Sequence, residues 1–152
     1  MEVNCGFNVS HFYADHMDNA ITILIADDNK YIRETIRFLL SRIDNFKLVG
    51  EAESGEEAIY LAKELSPDVI LIDINMAPVN GFEATRKILK QSPLTKIIGL
   101  SVHKQLSYAK NILQLGAKGY VTKSSPHKEI ITAIMEVSEG KEYICSELND
   151  LF

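Results

Sequence analysis

The chain has 152 residues, with 16 Lys and Arg against 21 Asp and Glu, 46% hydrophobic and 24% charged residues. That supports one domain with a proper core, and no apolar run approaches the roughly 18 residues a membrane span requires. A formal charge of −5 without any Lys/Arg cluster argues against this segment gripping nucleic acid by itself. The N-terminus, with Glu2, Asp15 and Asp18, lacks the basic start and apolar stretch of a secretory signal. Cys5 and Cys145 stand far apart, without CxxC or zinc spacing, and read as free thiols of a reducing cytoplasm.

Residues 1–19 show no sustained period and are expected to form an N-terminal arm. Within it His11 and His16 lack a third ligand for a metal. From residue 20 the pattern changes. Ile21-Thr22-Ile23-Leu24-Ile25-Ala26 is a short apolar, β-branched run that stops at Asp27-Asp28. Ile32, Ile36, Leu39, Leu40 and Ile43 follow at steps of three and four, which predicts an amphipathic helix. Phe46 to Ala52 mixes Lys47 and Glu51 with apolar residues and carries Gly50, so it reads as an edge strand. Ser54-x-x-Glu57 is a capping box ahead of the helical period Ala58, Leu61, Ala62, Leu65.

Val69-Ile70-Leu71-Ile72 is the second wholly apolar run, ending in Asp73, and Ile97-Ile98-Gly99-Leu100 is the third, ending in Ser101. Continuous runs of this length are buried on both faces, as in a parallel sheet. Phe82, Ile88 and Leu89 mark one more helix, Ala109, Ile112 and Leu113 another, and Ile130, Ile131, Ile134 and Val137 a fifth. Gly119-Tyr120-Val121-Thr122 is short, ends at Lys123 and reads as the other edge. Turns at Ser66-Pro67-Asp68, Ser92-Pro93, Leu115-Gly116-Ala117 and Glu139-Gly140 separate these elements. Five βα units in alternation predict an α/β fold, a doubly wound five-stranded parallel sheet with right-handed crossovers.

In such a sheet, ligands bind beyond the carboxyl ends of the strands. Those ends carry Asp27 and Asp28, Asp73, Ser101 and Lys123. Three crowded carboxylates repel one another, and a hard divalent cation such as Mg²⁺ relieves that repulsion through oxygen ligands. A metal, an ammonium and a hydroxyl around one carboxylate suit the binding of phosphoryl oxygens. Singly, each residue has a bland reading: Asp-Asp as a helix cap, Ser as a cap, Lys as a solvated end. The coincidence of all five at strand ends carries the argument.

With these residues in place, the chain from Ala20 to about Tyr143 resembles the receiver domain of two-component response regulators. Asp27-Asp28, Asp73, Ser101 and Tyr120-x-x-Lys123 match that family's acidic pair, phosphoacceptor, Thr/Ser and aromatic-x-x-Lys. Ser101-Val102-His103, the stretch Gly116 to Lys123 and Glu139-Gly140-Lys141-Glu142-Tyr143 resemble the NarL/FixJ-type subfamily. The resemblance implies a flavodoxin-like sheet of order 2-1-3-4-5 over residues 20–143, with 144–152 as a tail or the start of a linker. It implies a phosphoryl group accepted on Asp73 from a sensor histidine kinase, with Lys123 and Ser101 stabilising it. Asp28, Asp73 and the Asn75 carbonyl would bind Mg²⁺ directly, and Asp27 through water. Ser101 and Tyr120 would form the switch, with Tyr120 expected on the outer face of the sheet. Asn75 and His103 would tune the lifetime of the phosphorylated state.

Such chemistry is stoichiometric, so the chain is not expected to be an enzyme, and a cytoplasmic location is expected. A phosphorylation-linked homodimer is a further partner, while DNA would be reached only through a separate helix-turn-helix domain. Proline falls one residue later than usual in Met76-Ala77-Pro78, while Gly81 keeps its distance from Asp73, so a reshaped loop beside an intact site is expected. Two other readings compete. A phosphatase of the haloacid-dehalogenase kind needs an acid two residues after its nucleophile, where Asn75 stands. A receiver-like interaction module that is never phosphorylated would normally lack one of the key residues.

Overall fold

The computed structural model describes residues 19–151, so the arm expected over 1–19 lies, but for Asn19, outside the described residues, as do His11 and His16. Within the described residues the chain alternates strand and helix throughout. Strands β1 (Ile21–Ala26), β2 (Phe46–Ala52), β3 (Val69–Asp73), β4 (Lys96–Ser101) and β5 (Gly119–Thr122) are followed in turn by α1 (Lys30–Ser41), α2 (Gly55–Leu65), α3 (Gly81–Gln91), α4 (Leu106–Gln114) and α5 (Lys128–Ser138). A two-residue strand β6 (Tyr143–Ile144) and a single turn of helix α6 (Ser146–Asn149) close the chain. All neighbouring strands are parallel, in the order β2-β1-β3-β4-β5-β6. The expected 2-1-3-4-5 order is therefore present, with one further strand.

The wholly apolar runs are central. Every residue of β3 is buried, and so are the last four of β1 and the last five of β4. Helices cover both faces, so these strands have no solvent side to mark with polar residues. Strand β2, by contrast, leaves Lys47 exposed at the open edge. Its register against β1 slips between Ile23 and Leu24, where Leu48 and then Gly50 are the partners and Val49 has none.

Helix starts follow from local chemistry. The Asn29 side chain accepts hydrogen bonds from the Tyr31 and Ile32 amides and caps α1. Ser54 Oγ accepts from Glu57 N, as the capping box requires, but Glu57 Oε1 reaches the amide of Glu53, one residue before the cap. Asn80 caps α3 through Glu83 N. At the start of α3 a Cβ on Gly81 would lie 2.5 Å from the Asp73 carbonyl oxygen, so only glycine lets this helix begin against the end of β3. The Ala77–Pro78 peptide in the preceding loop is cis.

Two expectations need correction at the C-terminal side. Gly119–Thr122 is not an edge strand, because β6 pairs along its outer side, Gly119 with Tyr143 and Tyr120 with Ile144. The segment expected as a tail or the start of a linker, described here over 144–151, brings Cys145 and Leu148 into the common core at 0% and 1% exposure. Glu129 on α5 fastens this segment by accepting from Tyr143 Oη at 2.6 Å and from the Ser146 amide at 2.8 Å. Burial and that carboxylate together push the Tyr143 hydroxyl well above its ordinary range.

Candidate functional site

Strand register brings the polar ends together. Ala26 pairs with Ile72, so Asp27 and Asp73 leave neighbouring strands at the same level. Asp73 pairs with Leu100, placing Ser101 one residue further out, and Ser101 pairs with Thr122, placing Lys123 beyond it. The carboxylates of Asp27, Asp28 and Asp73 offer oxygens that all lie within 4.8 Å of one another. Asp27 is fully buried, Asp73 is 3% exposed and Asp28 is exposed. Because Asn29 caps α1, neither aspartate before it is used as the cap.

Lys123 Nζ lies 2.8 Å from Asp27 Oδ2 and 3.4 Å from Asp73 Oδ2. One ammonium thus faces two buried carboxylates. The other oxygens are held by the backbone: Asp27 Oδ1 accepts from Asn29 N at 2.8 Å, and Asp73 Oδ1 from Asn75 N at 3.0 Å. Asp27 Oδ2 accepts no hydrogen bond of regular geometry despite its complete burial, and its partner is the charge of Lys123 alone. A buried oxygen left in that condition, with two more carboxylates beside it, fits a hard divalent cation whose preferred donors are oxygens. Burial pushes the Asp73 carboxyl above the ordinary aspartate range, assisted by the charge of Asp27. The Asn75 amide and Lys123 act in the opposite direction.

Ser101 is buried, and its Oγ accepts from the His103 amide at 3.0 Å. The Tyr120 hydroxyl donates to the His103 carbonyl at 2.6 Å. The backbone of His103 is therefore held at both its polar atoms by these two side chains. Tyr120 is fully buried rather than on the outer face. Its ring lies over Gly99 of β4, where Ile112 of α4 also packs, and its hydroxyl reaches the loop after β4. Burial raises the Tyr120 hydroxyl above its ordinary range. The His103 ring stacks on Tyr108 of α4 at 4.2 Å between centroids, with planes 3° apart. Asn75 is exposed beside the acidic group.

Three side chains near the site escaped the reading of the sequence. Arg33 is 9% exposed, donating from Nη1 to the Asp27 carbonyl at 2.7 Å and from Nε to Glu51 at 3.3 Å. Arg37 also pairs with Glu51, at 2.7 Å, and its guanidinium is the main cause holding the Glu51 carboxyl below the usual range. A signal for Arg33 was present, since residues 33, 36 and 40 form the buried stripe of α1. Glu147 of α6 accepts from Thr122 Oγ1 and Ser124 Oγ and lies 3.7 Å from Lys104, next to His103.

The family described as the response regulator receiver domain matches residues 23–135. Over 128 residues the chain is 39% identical to the response regulator GacA of Pseudomonas viridiflava, covering 84% of this chain and 60% of that protein. It is 40% identical over 127 residues to the transcriptional regulatory protein DegU of Brevibacillus brevis, covering 84% of this chain and 54% of that protein. The chain thus spans little more than half the length of these curated relatives. Among solved structures, a LuxR-family two-component response regulator from an Aurantimonas species superposes with a TM-score of 0.84 at 30% identity, covering 86% of this chain and 94% of that one. The response regulator domain of Thermotoga maritima CheB gives 0.75 at 30% identity, covering 79% of this chain and 97% of that one. Among the described residues no helix is long and apolar enough to cross a membrane.

Proposed function

Because this chain belongs to the response regulator receiver family of two-component systems, we propose that it takes a phosphoryl group from the phosphohistidine of a sensor kinase onto Asp73 and changes its surface in response. The observation that carries the reading is the state of Asp73. It ends the central strand, is almost fully buried, has one oxygen fixed by the Asn75 amide, and faces Lys123 with the other. Oδ2 is then the oxygen that attacks phosphorus. The O–P bond forms as the P–N bond of the donor breaks, and the departing imidazole carries the electron pair away.

Partial desolvation makes the carboxylate a less stabilised anion and a readier nucleophile, while Lys123 acts in the opposite direction and favours the charged form. Mg²⁺, held by Asp28, Asp73 and the Asn75 carbonyl with Asp27 behind them, would neutralise charge on the phosphoryl oxygens. Lys123 moves its pairing from the two carboxylates to a phosphoryl oxygen. The Ser101 hydroxyl turns to donate to another and gives up the His103 amide. The backbone of His103 then keeps only its carbonyl contact to Tyr120, its ring stays on Tyr108, and the loop 102–105 is free to shift with Lys104 and its Glu147 contact. The response is a shift between two packings of that loop. The reaction is stoichiometric, with slow self-dephosphorylation returning the resting state.

Incubation with acetyl phosphate and Mg²⁺ followed by peptide mass analysis tests this. One phosphoryl group is expected on the peptide carrying Asp73, and none in Asp73→Asn, which is nearly isosteric. Equal labelling of that variant would remove Asp73 from the role.

A further inference from the structure

Resting on the receiver reading, the geometry points to Arg33 as a positioning residue for the divalent-cation site: its guanidinium clamps the Asp27–Asp28 peptide and thereby sets the direction of the Asp28 carboxylate. The Asp28 side chain is exposed, and no hydrogen bond or ion pair among the described residues holds it. Its direction is therefore controlled from the backbone. That backbone is pinned at Asp27: the amide donates to Ala52 O of β2 at 3.0 Å, and the carbonyl accepts from Arg33 Nη1 at 2.7 Å. Since a peptide unit is planar, fixing the Asp27 carbonyl fixes the plane from which the Cα of Asp28 leaves.

The clamp is itself held. Arg33 Nε donates to Glu51 Oε1 at 3.3 Å, and Glu51 is tied to Arg37 at 2.7 and 3.0 Å. A planar guanidinium reaches a carbonyl and a carboxylate at once, a geometry an ammonium cannot reproduce. This also explains why a charged residue occupies the buried stripe of α1 beside Ile36 and Leu40. Arg37 shares Glu51 but does not contact Asp27, which makes it the control.

Charge and geometry predict opposite signs. Removing a cation near an acidic cluster strengthens the binding of a divalent cation by electrostatics alone, whereas losing a clamp weakens it. The measurement is Mg²⁺ binding to the full chain by amide chemical-shift titration, with no phosphoryl donor present. Arg33→Met and Arg33→Lys should each weaken binding roughly tenfold, the scale of losing an outer-shell support. Glu51→Gln should weaken it by a smaller factor, and Arg37→Met should leave it within about twofold of the parent. Acetyl-phosphate labelling of the Arg33 variants should recover the parent rate once Mg²⁺ is raised in proportion.

Tighter or unchanged Mg²⁺ binding in the Arg33 variants would overturn the clamp, as would an equal loss in Arg37→Met. If Arg33→Met does not fold, Arg33→Lys and Glu51→Gln decide the matter by the same criterion. A parent chain that binds no Mg²⁺ would instead defeat the underlying receiver reading, so the two failures are distinguishable.

Discussion

The two ends of the sheet both carry aspartates, and they treat them in opposite ways. At the amino ends of the strands, Asp68 accepts from the Thr22 amide at 2.8 Å and from its hydroxyl at 3.0 Å, while its own amide donates back to Thr22 Oγ1 at 2.9 Å. One carboxylate oxygen, Oδ2, thus ties β1 to the turn before β3. At the carboxyl ends, Asp27 and Asp73 each give one oxygen to a local amide and present the other to the same ammonium. The Asp68 end also lines an open groove of about 590 Å³ bordered by Ser66, Pro67, Ser92, Pro93 and Leu94. Volume therefore does not mark the chemistry here. The mark is a buried carboxylate oxygen, Asp27 Oδ2, left without a regular hydrogen bond among two further carboxylates and an ammonium.

The contrast breaks most visibly at Lys123. Lys123→Met leaves two buried carboxylates facing each other, and the metal-free chain should lose about 3 kcal/mol at neutral pH in a denaturant melt. Added Mg²⁺ or mild acid should return much of it, because each relieves the same repulsion. A loss that neither reverses would mean the lysine acts through packing.

Asp73 supplies the pH dependence. Its folded-state pKa is raised, so the native chain binds the proton more readily than the unfolded one. Its contribution is therefore most favourable below the ordinary aspartate range and is lost as pH rises through the raised value. Asp73→Asn should melt higher than the parent at neutral pH without metal, and the gap should close on acidification. A gap that widens in acid would contradict the burial argument. Glu51, whose pKa is lowered by Arg37, acts in the opposite direction and should make both proteins lose stability in stronger acid.

At the other end of the sheet, Asp68→Ala should cost about 1 kcal/mol, the scale of a lost cap-like hydrogen-bond pair. It should leave acetyl-phosphate labelling at the parent rate. A loss of labelling would couple the two ends and blur the distinction. The smallest effect concerns His103, whose ring is fixed against Tyr108 while its backbone is shared by Ser101 and Tyr120. His103→Ala should speed loss of the phosphoryl group several-fold, about 1 kcal/mol off the barrier, by opening the approach of water. Decay no faster than the parent's would leave the imidazole without that role.

Much of this was legible before any coordinates. Strands buried on both faces write themselves as unbroken apolar runs, so the residue that ends each run is conspicuous. That is why Asp27, Asp73, Ser101 and Lys123 could be placed at one end of a parallel sheet. Residues 143–149 were not legible, because two residues of strand and four of helix hold no period to detect. The outward placement of Tyr120 failed because its burial depends on a glycine in the neighbouring strand and on the loop and helix packed over it, which the period of β5 alone does not show. Arg33 was missed because an apolar stripe was read by its apolar members alone.

Strand β6 also bears on strand addition at the margins of the sheet. By pairing with β5 it moves one lateral margin of the sheet onto a strand of only two residues, leaving β2 as the one long margin among the described residues. That remaining margin carries Lys47 and Glu51 and a break in register at Val49, which interrupts the regular row of donors and acceptors. Neither side offers a long, flat template for strand addition. Edge-to-edge growth into a continuous sheet is thereby disfavoured at both margins.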